Sequence, residues 1–198
     1  MVTNDRQYRA FEVRANEAEC RVEGYAAIFN SPTVMYEWDG VQYKEAIDAR
    51  AFSETQMADV VMNYNHMGKP VARTKNGTLA LTVDDVGLKI SADLSGTEEG
   101  RRLYEEIKGG YIDKMSFAFT VSAEEYNRDT RTRTITGIKR LFDVAAVDIP
   151  AYDATSISAR SFYSAEAERE AAEAAKRERQ KRKIKILMEV LKNDYDRN

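Results

Sequence analysis

Up to about Phe162 the chain alternates large apolar side chains with polar or small ones, a two-residue period that suits a half-buried β-strand and not a helix. The pattern recurs at Phe11/Val13, Leu79/Leu81/Val83, Leu88/Ile90/Ala92/Leu94 and Met115/Phe117/Phe119/Val121. Asp84-Asp85-Val86-Gly87 and Asn127-Arg128-Asp129 separate successive runs, so at least two hairpins are expected. Two helices should interrupt the strands. One spans about Asp48 to Ala58 with Asp48 as N-cap; the other spans Glu98 to Lys108, capped by Thr97, ended by Gly109-Gly110, with Leu103 and Ile107 on one face. The expected fold class is α+β, dominated by sheet.

The periodicity stops where the composition changes. Residues 164–183 are almost entirely Ala, Glu, Lys and Arg, good helix formers with no large apolar side chain to bury, which predicts an extended helix outside the core. Ile184, Leu187, Met188 and Leu191 then recur at i, i+3, i+4 and i+7. Such a stripe needs a partner, which could be the chain's own core, a second copy or another protein. The chain thus divides into a domain over residues 1–162 and a charged helical tail over 163–198.

With 198 residues, 43% of them hydrophobic, the chain is long enough for one cored domain and an appendage. No stretch approaches the length of a membrane span, and the first residues lack the layout of a signal peptide, so no membrane association and an intracellular location are expected. Cys20 and His66 are the only residues of their kinds, which excludes an internal disulfide and the usual Cys/His zinc site. Neither a calcium loop nor a glycine-rich nucleotide loop occurs, so no metal and no cofactor are expected. The net charge of −3 hides a basic run, Lys176 to Lys183. It could touch nucleic acid or an acidic partner, or simply form a solvated helix face; nothing in the core supports nucleic acid.

Three residues stand out chemically. His66 ends the apolar run Val60-Val61-Met62-Asn63-Tyr64-Asn65, where a half-buried strand would break into a loop, and it is the only side chain here whose ordinary pKa suits proton exchange near neutrality. Ser116 lies on the strand Lys114 to Val121, pointing away from the face formed by Met115, Phe117, Phe119 and Val121. A serine there is commonly only a small strand residue, yet the position would hold a nucleophile on a rigid element. Asp143 falls in register with Leu141, Ala145, Val147 and Ile149, an apolar set, so its carboxylate should be buried and must have a partner. That partner is either an Arg or Lys or the ring N–H of His66, the latter being the acid's role in a Ser-His-acid triad.

Gly24-Tyr25-Ala26-Ala27-Ile28-Phe29-Asn30, Ala51-Phe52, Asn65-His66, Val86-Gly87-Leu88, Ser116-Phe117-Ala118-Phe119 and Val147-Asp148-Ile149-Pro150-Ala151 follow one another over about residues 20–160. In order and approximate spacing this set resembles the phage HK97-type prohead proteases, serine endopeptidases related in fold to the herpesvirus assembly proteases. The resemblance implies a β-barrel core flanked by helices, His66 as general base, Ser116 as nucleophile and an acidic third member, placed at Asp143. It also implies cleavage of capsid and scaffold proteins, and of the chain itself, inside an assembling prohead in the bacterial host cytoplasm, with self-association. Arg50 stands where the family pattern has Gly, and Asp143 and Ala145 stand where it often has Glu and Ser. Asp148, on the opposite strand face from Asp143, competes for the third position. The alternative from another class is a non-enzymatic capsid assembly or scaffolding protein with a partner-binding tail.

Overall fold

The computed structural model describes residues 7–16, 19–148 and 157–195, with side chains described except at 7–11, 16, 157–161 and 190–195. In chain order the elements are β1 (Gln7–Asn16), β2 (Arg21–Ile28), β3 (Thr33–Trp38), β4 (Val41–Ile47), β5 (Val61–Tyr64), β6 (Met67–Arg73), β7 (Leu79–Val83), β8 (Gly87–Asp93), α1 (Glu98–Lys108), β9 (Lys114–Asn127), β10 (Thr132–Val147) and α2 (Ile157–Tyr195). The strands join into one ten-stranded sheet in the order β3-β4-β10-β9-β1-β2-β8-β7, with β5 added to β10 and β6 added to β5. The sheet curls into a half-barrel.

The alternation read from the sequence sets which side faces inward. Met115, Phe117, Phe119 and Val121 of β9 join Leu88, Ile90 and Ala92 of β8 and Val144 and Ala146 of β10 in one buried cluster. Phe117 and Phe119 stack with ring centroids 4.7 Å apart. Burying each such side chain stabilises the fold by roughly 1.5–3 kcal/mol. Both expected hairpins form, β7 to β8 and β9 to β10. Asp84 organises the first by accepting from the Val86 and Gly87 amides and from the Tyr25 hydroxyl, which hold its carboxyl below the usual range.

Helix α1 forms where Thr97 predicts it, the Thr97 hydroxyl accepting from Gly100 N at 2.9 Å, and Leu103 and Ile107 are buried against the core. The helix expected over Asp48–Ala58 does not form. The segment is a run of four-residue turns, with Ala51 N donating to Asp48 O, Ser53 N to Arg50 O and Thr55 N to Phe52 O. Asp48 does bond the Arg50 amide, as a cap would, but its carboxylate is also taken by the Arg50 guanidinium. The decisive competitor is β10. Its Ile138 amide donates to Ala51 O at 2.8 Å, and Gln56 N donates to Lys139 O, so backbone groups a helix would use internally are spent on the sheet.

Strand β10 therefore carries three successive neighbours along one edge: β4 beside 132–135, the turn segment beside 138–141, and β5 beside 143–146. Near its start, Arg133 is buried between Glu45 and Glu124 and donates to both. In the second compact unit, residues 161–198, the described residues 161–195 belong to α2. In it Ile184, Leu187 and Met188 are exposed, as is the basic run, while the Leu191 side chain lies outside those described.

Candidate active site

Ser116 faces away from the aromatic stack, as the alternation predicts, and is nonetheless only 1% exposed. Its Cα partner on β10 is Ala145, and Asp143 pairs with Ala118, so serine and carboxylate project from one face on adjacent rows. A diagonal pair of this kind is separated by about 7–8 Å, the span an imidazole bridges when hydrogen-bonded at both nitrogens.

Asp143 reaches that face by a local irregularity. Leu141 pairs with Phe119 and Asp143 with Ala118, two steps along β10 against one along β9, so an extra residue, Phe142, is inserted. The expectation that Leu141 and Asp143 share a face is thereby corrected. Leu141 packs in the main core with Phe119, whereas Asp143 turns to the side of Ala145 and Val147. Bulges commonly re-aim a side chain in this way. The Phe142 ring is capped by the Arg140 guanidinium 4.8 Å from its centroid.

His66 arrives from the neighbouring hairpin. β5 and β6 are joined by Asn65 and His66 alone, both with positive φ (49° and 58°), a two-residue loop of the type I′ pattern. Asn and His tolerate the left-handed region better than most residues, though less well than Gly. The Asn65 amide donates to Ala146 O at 2.9 Å, which docks the loop on β10. From there His66 Nδ1 lies 2.5 Å from Asp143 Oδ1, the two side chains being 17% and 8% exposed. With Nδ1–H donated to the carboxylate, Nε2 of the neutral ring carries the basic lone pair.

Of the two partners open to Asp143, the structure thus brings it His66. Asp148 instead accepts from the Tyr64 hydroxyl at 2.9 Å, raising the phenol pKa above its usual value. Ser116 Oγ is buried and makes no hydrogen bond among the described residues, so the serine–histidine contact of a working pair is not formed here. Cys20 sits in the turn before β2, its thiol pushed up by burial and by Asp93, which disfavours the nucleophilic thiolate. No convergent cluster of three His, Cys, Asp or Glu side chains occurs among the described residues. No helix described is long and apolar enough to cross a membrane. Ile149-Pro150-Ala151 lie outside the described residues.

Two features were not read from the sequence. A groove of about 820 Å³ runs beside the His66 hairpin, between Tyr64, Met67 and Val71 on one side and Leu103, Glu106 and Tyr111 on the other. Its lining comes from segments far apart in sequence, so no local pattern announces it. The other is Asn63, buried on β5 in the row of Ser116 and Ala145. A polar residue inside an apolar strand run was its only signal.

A family model described as caudovirus prohead serine protease matches residues 9–187. No curated protein and no solved structure matches the chain.

Proposed function

The chain belongs to the family of caudovirus prohead serine proteases, and on that premise we propose that it is a Ser-His-Asp endopeptidase that cleaves capsid and scaffold proteins, and its own tail, during prohead maturation. The observation that carries the reading is the His66–Asp143 contact at 2.5 Å on the face from which Ser116 projects.

Ser116 Oγ attacks the scissile carbonyl carbon while His66 Nε2 takes the hydroxyl proton. The imidazolium so formed is stabilised and held in orientation by Asp143. Collapse of the tetrahedral intermediate breaks the C–N bond, and His66 returns the proton to the leaving amine. Water then repeats the sequence on the acyl-enzyme, releasing the second product and restoring Ser116. The groove between the β5–β6 hairpin and α1 would seat the substrate chain beside His66, its apolar walls taking side chains and Glu106 supplying charge.

The exposed Ala/Glu/Lys/Arg stretch of α2 suits self-processing within residues 160–185. Beyond it, the exposed Ile184, Leu187 and Met188 suit a tail that binds capsid, scaffold or a second copy before removal, inside the assembling particle in the host cytoplasm.

Co-expression with the cognate capsid protein tests the assignment. Processing should be lost in Ser116→Ala and in His66→Ala, and survival of processing in either variant removes that residue from the mechanism. A purely structural assembly protein would process nothing in any form.

A further inference from the structure

Asn63 is a buried polar side chain that the mechanism above leaves unused. It follows Val60, Val61 and Met62 on a strand whose other inward residues are apolar, and it is 7% exposed. Its Oδ1 is buried with no hydrogen-bond partner among the described residues. Buried amide groups are almost always satisfied, so one left open among the described residues marks a place that a group of a bound substrate can complete.

The register says which group. Asn63 pairs with Ala145, and Ala145 pairs with Ser116, so the three side chains stand in one row on one face, on three adjacent strands. At the usual strand spacing, β5 and β9 are about 9.6 Å apart. Between Asn63 and Ser116 stands only the methyl of Ala145, the smallest side chain that keeps the row. A covalent adduct spans the same gap. The serine Cβ and Oγ, the attacked carbon, its oxygen and an amide nitrogen at hydrogen-bond distance reach about 6–7 Å, and the remainder lies within the reach of the Asn side chain itself. The row thus has the proposed nucleophile at one end and an unmet amide at the other. His66 Nδ1 is held by Asp143, which stands on the neighbouring row of the same face.

We propose that Asn63 is a further catalytic residue: its side-chain amide donates a hydrogen bond to the oxyanion formed when Ser116 attacks the scissile carbonyl. The proposal rests on the assignment of Ser116 as nucleophile. In the step, the Oγ–C bond forms, the carbonyl π pair moves onto oxygen, and the serine proton goes to His66. Asn63 keeps its protons throughout. Rotating the amide by half a turn exchanges Oδ1 and Nδ2 with no change of shape, so the open position presents a donor when an oxyanion arrives. The idle side chain and the demand of the transition state then account for each other.

The experiment uses the full chain and intact cognate capsid protein as substrate, with initial rates at several substrate concentrations and a thermal midpoint for each variant. Asn63→Ala should lower kcat about 10²–10³-fold with KM within about threefold, and its thermal midpoint should equal or exceed that of the wild type. Asn63→Asp keeps the shape but offers only acceptors, and kcat should fall at least as far; this variant decides the matter if Asn63→Ala does not fold. A kcat within about threefold of wild type in Asn63→Asp or a folded Asn63→Ala overturns the proposal. So does an effect confined to KM, or an activity loss matched by a falling midpoint. Ser116→Ala separates the two readings. If it is as active as wild type, the nucleophile assignment and this proposal fall together; if it is dead while Asn63 variants are active, only this proposal fails.

Discussion

The Asp143 carboxylate holds Nδ1 of His66 at 2.5 Å from a strand neighbouring the one that leads into the histidine's own turn. Ring orientation and the position of its proton are therefore fixed by the pairing of β5 with β10, before any substrate is present. The contact that the proposed mechanism further requires is the one with Ser116, whose hydroxyl is buried and makes no hydrogen bond among the described residues.

Asp143→Asn should consequently lower kcat on the order of 10³–10⁴-fold, because an amide cannot hold Nδ1–H and stabilise the imidazolium. Asp148→Asn, which leaves the His66–Asp143 contact in place, should cost less than about tenfold. Capsid-processing rates of the two variants side by side check this, and a reversed order would move the third role to Asp148.

Activity should fall as pH is lowered, because a protonated imidazole cannot accept the serine proton. The sign follows from the role: the base works only while neutral. Rates with saturating capsid protein across the pH range in which the protein stays folded are the measurement, and the absence of any fall on the acid side would count against His66 as base.

The positive φ of His66 predicts a separation of stability from activity. Glycine accepts the left-handed region without cost, whereas alanine does not, so His66→Gly should be more stable than His66→Ala by about 1–2 kcal/mol although both are inactive. Urea unfolding of the two variants reads the difference, and equal stabilities would mean that the loop relaxes.

Arg133, buried between Glu45 and Glu124, should be costly to remove. Arg133→Met leaves those carboxylates without its compensating charge and should destabilise the fold by about 3–5 kcal/mol. Chemical denaturation gives the number; a loss under about 1 kcal/mol would show the cluster to be solvated.

Mass spectrometry of the purified chain should show a serine-dependent cut within residues 160–185. The wild type should lose its tail and Ser116→Ala should keep it. An identical mass for both proteins would mean that the tail is not a substrate of its own domain.

Much of this arrangement is legible in the sequence because it is local. Strict alternation puts Ser116 opposite Phe117 and Phe119, and an apolar run ending in Asn65-His66 puts the histidine at a strand end. Thr97 and Gly109-Gly110 bracket α1. What depends on partners far along the chain is not legible. Asp48–Ala58 has a capping residue, yet backbone groups of β10, some ninety residues later, claim it instead. The pairing of β5 with β10, which brings Asp143 to His66, joins segments with no mark of kinship in composition. Asn63 gained meaning only when that pairing set it in the row of Ser116.

The extra residue in β10 makes the chemistry a matter of phase. A regular strand that kept Phe142 would pair Asp143 with Phe117 and send its carboxylate among the phenylalanines. Deleting Phe142 would instead leave Leu141 and Asp143 consecutive, and strand alternation would still set them on opposite faces. What the histidine's partner depends on is thus the two-against-one step between the strands, and not the side chain that fills the extra position.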